Sequence, residues 1–141
     1  MPARGIANGK YQGSKWIRRE RRLAIYMRDG LACAWCGASI EEGATLSLDH
    51  IVPHAKGGST QSDNLITACR KCNSSRGDRL VIEFCKAVAD YLDHDVTADQ
   101  IEDHIYECLE RPVNIAQARQ IITRRGSWQA ALMGAQDSSE I

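Results

Sequence analysis

A chain of 141 residues, 43% hydrophobic and 26% charged, has the size and composition of one soluble folded domain with at most an appended helical segment. One Phe and three Trp exclude a large aromatic core, so a metal or disulfide staple is expected to hold part of the chain. The formal charge of +0 conceals a split, because residues 1–80 carry thirteen Lys and Arg against seven Asp and Glu while residues 81–141 carry five against eleven.

The split reads either as two solvated faces of unlike sign or as a basic half that meets nucleic acid beside an acidic half that does not. No stretch approaches the roughly 18 apolar residues of a membrane span. The start, MPARGIANGKYQGSKW, lacks the apolar core of a secretory signal. A reducing, cytoplasmic setting is therefore expected, where paired cysteines are metal ligands before they are disulfides.

In chain order, residues 1–13 are Gly-rich and unpatterned, a flexible arm. Ser14 is a suitable N-cap for a helix running to Gly30, with Ile17, Leu23, Ala24 and Met27 as its apolar stripe. Arg18, Arg19, Arg21, Arg22 and Arg28 surround that stripe against the single Glu20, which points to phosphate contact. A turn then carries Cys33 and Cys36. Residues 44–52 are β-branched and Leu-rich and end at Pro53, so they read as a strand; residues 65–68 read as a second. A polar, Gly-containing loop, 54–64, separates them. A short helix is expected from Cys69 to Gly77.

Beyond residue 80 the pattern is helical. Val81, Phe84, Cys85, Val88, Tyr91 and Leu92 recur at helical spacing; Thr97 with Gln100 forms a capping box before Ile101, Ile105, Cys108 and Leu109. Pro112 ends that helix, a third run spans Ile115 to Arg125 before Gly126, and residues 136–141 read as a disordered tail. The expected division is a core at 14–79 and a helical segment at 80–135.

Cys33-x-x-Cys36 and Cys69-x-x-Cys72 are two knuckles, each able to present two thiolates at about 2.3 Å from one zinc ion. Cys85 and Cys108 lie on apolar helix faces and read as small core residues. Everything between the knuckles is pinned at both ends. There lie Asp49-His50, Pro53, Gly57-Gly58 and Asn64, with Asn73 directly after the last knuckle.

The string LDHIVPHAKGG…DNLITACRKCNSSRG, preceded by RRLAIYMRDGLACAWCG, resembles the zinc-bracketed HNH nuclease family over roughly residues 18–77. The resemblance implies an α+β fold, a ββα-metal core with a four-cysteine zinc site between an N-terminal helix and C-terminal helices. It implies a bacterial or phage DNA endonuclease that hydrolyses phosphodiesters to 5′-phosphate and 3′-hydroxyl ends with one Mg²⁺ or Mn²⁺. His50 is then the general base, Asp49 and Asn73 the ligands of the catalytic ion, and Asn64 a brace for the loop and the backbone around the base. The ion chemistry is apt, since a carboxylate and an amide oxygen suit Mg²⁺ or Mn²⁺, and a neutral imidazole can accept a proton from water.

Asn73 stands where the family often has His, which favours oxygen-loving ions, and Arg76 stands where Lys is more usual and is expected on phosphate. Lys56 beside the glycines is a further candidate DNA contact with Arg18, Arg19 and Arg22, and His54 is a possible site residue. The expected partner is double-stranded DNA, with a homodimer or a protein partner on the acidic helices left open. A non-catalytic zinc-dependent nucleic-acid-binding module is the alternative, and a purely structural zinc protein a third.

Overall fold

The computed structural model describes residues 17–92 and 96–138. The expected arm at 1–13 and the Ser14 cap lie outside the described residues. The elements are α1 (Arg19–Arg28), β1 (Leu46–His50), β2 (Leu65–Cys69), α2 (Arg70–Arg76), α3 (Val81–Leu92), α4 (Ala98–Glu110), α5 (Ile115–Arg125) and α6 (Trp128–Ser138). β1 and β2 form a two-stranded antiparallel sheet in which Leu46 faces Cys69 and His50 faces Leu65. With α2 following directly, this is a ββα unit inside an α+β fold. The strand read over 44–52 contracts to Leu46–His50, because beyond it Asn64 and Arg76 take up the backbone groups of Ile51 and Val52 that a longer ladder would have used.

A lone hairpin cannot bury two faces by itself. Here each face meets a helical layer. Ile66 and Ala68 join Trp35, Phe84, Cys85, Val88, Ile101, Ile105 and Cys108 in one core, so α3 and α4 lie over the knuckles. Leu48 and Leu65 join Ile17, Leu23, Ile25, Ala118, Ile121 and Ala131 in the other, formed by α1, α5 and α6. The helices after residue 80 thus complete both cores.

The end of α1 is locked to the sheet by charge. Arg28 and Asp29 are buried and paired at 2.6 Å; Arg28 also donates to the carbonyls of Ser62 and Leu65, and Asp29 accepts from the Thr67 amide. Every partner being hydrogen-bonded makes that burial tolerable. Arg28 is therefore a structural residue rather than part of a phosphate-binding face.

The capping box at Thr97 and Gln100 forms as the sequence reads, and α5 ends at Gly126 with the left-handed conformation (φ 82°) that suits glycine. Two features differ from the sequence reading. Tyr91 is 70% exposed, lying under the Lys71 ammonium rather than in the core. α6, started by Ser127 accepting from the Ala130 amide, runs to Ser138 and so into the segment read as a disordered tail. Residues 139–141 lie outside the described residues.

Candidate metal centre and active-site cleft

Each knuckle is built by backbone geometry. In the first, the Cys33 sulfur accepts from the Cys36 amide at 3.5 Å, and backbone bonds from Gly37 to Cys33 and from Cys33 to Ala38 close the turn. In the second, Cys69 is at once the last residue of β2, the N-cap of α2 and a sulfur donor, accepting from the Cys72 amide at 3.4 Å. The four sulfurs lie within 4.8 Å of one another, and Cys36 and Cys69 are 3.8 Å apart. A tetrahedron of thiolates about 2.3 Å from a zinc ion has edges of about 3.8 Å. The donor set and the spacing are those of a structural zinc site. The neighbouring Cys33 thiol and burial push the Cys36 thiol well above the ordinary range.

Trp35, between the cysteines of the first knuckle, carries this geometry outward. It is 2% exposed, meets Phe84 of α3 edge-on at 5.1 Å and lies under the Arg76 guanidinium at 5.4 Å.

The pinned loop opens into a cleft of about 100 Å³ lined by Leu48, His50, Pro53, His54, Ala55, Asn73, Gly77 and Asp78. His50 closes β1, and Asn73 enters from α2. Asn73 donates its amide nitrogen to the Ser47 hydroxyl at 2.9 Å and to the Leu48 carbonyl at 3.1 Å, which commits Nδ2 and leaves Oδ1 as the oxygen donor. His54 is exposed, with its ring 5.8 Å from that of His50. Burial, and secondarily the nearby His54, lower His50 to about 4 from 6.5. The ring is neutral at physiological pH and able to accept a proton.

Asn64 is a brace. Its side chain accepts from the Val52 amide at 2.9 Å and donates to the carbonyls of Val52 and Ser59, while its own carbonyl accepts from Ile51. Gly58 is held against the same strand end: a β-carbon there would fall 1.7 Å from the Val52 carbonyl oxygen. The close approach that this glycine permits is to the chain's own backbone rather than to DNA.

Arg76 departs most from its expectation. It is 2% exposed, not on a phosphate-binding surface. It donates to Asp49 at 3.0 Å, to the carbonyls of His50 and Ile51 at 2.8 and 2.7 Å, and to that of Arg79 at 3.1 Å. A guanidinium has five N–H groups in a rigid fork, and here they fix the strand end that carries His50. Asp49, expected beside the base, is not in the cleft wall; its carboxylate is buried behind it on Arg76. Ser47 and Asp49 share one strand face, and α2 covers it, so alternation sends Asp49 under the helix.

Of the basic residues singled out from sequence, Lys56 is exposed and loosely paired with Asp78 at 3.5 Å. Arg18, Arg19 and Arg22 line a separate groove, together with Arg70. Arg21 instead donates to the Thr60 carbonyl. Sequence reasoning missed Trp35, Asp78 and Arg70. For Arg70 a signal existed in its position beside Cys69, at the start of the short helix.

Residues 33–89 match the family model described as HNH endonuclease. Two curated relatives agree. The chain is similar to the CRISPR-associated endonuclease Cas9 of Corynebacterium diphtheriae, 42% identical over 58 residues that make up 40% of this chain and 5% of that protein. It is similar also to the CRISPR-associated endonuclease Cas9 of Actinomyces naeslundii, 41% identical over 58 residues, again 40% of this chain and 5% of the relative. The chain thus spans about 5% of the length of these relatives. No solved structure matches. Among the described residues no helix is long and apolar enough to cross a membrane.

Proposed function

We propose that the chain is a DNA endonuclease that hydrolyses phosphodiester bonds in the cleft, using His50 as general base and a divalent cation, with a zinc ion on Cys33, Cys36, Cys69 and Cys72 as a structural bracket. The observation that carries this reading is that His50 and Asn73, from a strand and a helix held together at the four-cysteine cluster, line one cleft. The family match over residues 33–89 supports the same chemistry.

His50 takes the proton of a water that attacks phosphorus. Arg76 and Asn64 hold the backbone from His50 to Val52, so the ring of the base does not have to be ordered when substrate binds. In the cleft wall Asn73 Oδ1, with His54 and Asp78, would hold Mg²⁺ or Mn²⁺; Asp49, paired with Arg76 behind the wall, would act on the site through that guanidinium rather than as a ligand. When bound, such an ion polarises the phosphate oxygens and stabilises the leaving alkoxide. A neutral His50 is the form that this assignment requires.

The test is relaxation of a supercoiled plasmid. With Mg²⁺ or Mn²⁺ the zinc-loaded chain nicks or linearises it, and removing only the added cation stops the reaction. A folded chain that binds the plasmid and leaves it intact under every divalent ion would instead establish the non-catalytic binding module.

A further inference from the structure

A groove of about 650 Å³ lies away from the cleft and between layers: Ile17, Arg18, Arg19, Arg22 and Tyr26 from the α1 region, Leu46 from β1, Arg70 from α2 and Trp128 from α6 line it. Among the described residues its charged lining is four arginines. Arg18, Arg19 and Arg70 enter no ion pair among the described residues. Guanidinium groups gathered at the start of α1 and of α2 repel one another, and oxygen-rich anions are what they bind in pairs.

Strand β1 joins this groove to the cleft. Leu46 lines the former, while Leu48 and His50 line the latter. The four-residue step from Leu46 to His50 spans about 13 Å at roughly 3.3 Å per residue. We infer that the groove is a second backbone-binding site, which grips phosphates of the same DNA duplex away from the bond that is cut.

The aromatic residues argue for a duplex over a single strand. Unpaired bases need open ring faces on which to stack. Tyr26 is 2% exposed, its hydroxyl donating to the Leu46 carbonyl at 3.2 Å, and Trp128 is half-buried with its ring centroid 6.4 Å from that of Tyr26. These rings wall the groove and hold α1 against α6, leaving the arginines to meet the ligand.

The inference rests on the nuclease reading for the position of the cut, but its test does not. In the full chain carrying His50→Ala, so that DNA survives, binding to a short duplex is measured by anisotropy across a range of salt. Adding Arg18→Gln and Arg70→Gln is expected to weaken binding about tenfold near 0.1 M salt and to flatten the log–log salt slope by about 2, one for each lost phosphate contact. Arg18→Lys with Arg70→Lys is expected to restore the slope. Both positions are exposed, and zinc content and thermal midpoint confirm the fold of each variant. Unchanged affinity and slope in the Gln pair overturn the groove, even if the plasmid is cut. A single strand bound more tightly than the duplex, with the same dependence on Arg18 and Arg70, overturns the duplex assignment. The expected result with no cleavage of plasmid by the His50 protein would remove the nuclease reading and leave the DNA groove standing.

Discussion

With its pKa at about 4 rather than 6.5, the His50 imidazole is bound to fewer protons in the folded chain than in the unfolded chain at any pH between those values. The sign follows: the contribution of His50 to stability is complete above about 6.5 and is lost as pH falls towards about 4, because protonation favours the unfolded state. Replacing His50 by Gln should therefore make urea midpoints fall less steeply across that window than in the wild type. Parallel curves would mean that the ring is not desolvated as described. Arg76 offers a second test. Arg76→Ala leaves Asp49 buried without its guanidinium and should cost roughly 3–5 kcal/mol in denaturant unfolding, whereas Arg76→Lys should cost less but leave at least one of the carbonyls of His50 and Ile51 unserved. A surface phosphate ligand would show almost no loss. At this scale the sequence tells residue type and spacing, enough to single out His50, Asn64 and Asn73. It does not tell burial. Arg76 and Asp49 look like surface groups in a polar string, and only the lie of α2 across β1 turns them towards each other.

The ββα unit depends on elements too short to stand alone: two strands of five residues and a helix of seven. A helix of that length gains little from its own hydrogen bonds, so its position is set by the cap, the cluster and the two side chains it lays on β1. Cys69 serves two of those ties at once, the cap and the cluster. Cys69→Ser is expected to lose both zinc and the cooperative fold, because the binding energy of the metal is folding energy in such a bracket. Cys85→Ser, by contrast, should leave about one zinc per chain, with stability reduced by the buried hydroxyl. Metal analysis of both variants separates ligand from core cysteine, and equal zinc loss in the two would contradict the assignment. The elements themselves were largely legible. Knuckle spacing, the Thr97 capping box and Gly126 are local signals that packing does not overrule. The strand ends and α6 were harder, since the first is settled by side chains reaching from α2 and the loop, and the second begins after a glycine that had already signalled a stop.

At the scale of the molecule, the acidic second half does not hang from a basic nuclease core but supplies one side of each apolar cluster. Trp35 and the knuckles rest on α3 and α4; Leu23 and Ile25 of α1 rest on α5 and α6. A chain cut after Leu80 would expose both surfaces, and it is expected to be insoluble or unfolded by circular dichroism even with zinc present. A stable, monomeric, zinc-loaded fragment would show that the first half folds by itself. This arrangement lets the charge asymmetry persist: Arg18, Arg19, Arg22 and Arg70 line the groove, while most of the compensating acids lie beyond residue 80. The chain-wide balance of +0 conceals that distribution. The most direct test of the central claim, that His50 in the zinc-bracketed cleft is the base for phosphodiester hydrolysis, is the single-turnover rate of plasmid nicking by wild type and His50→Ala, both zinc-loaded, with Mn²⁺ added. The rate should fall by roughly 10²–10⁴ in the variant while its plasmid affinity is kept; equal rates would contradict the account.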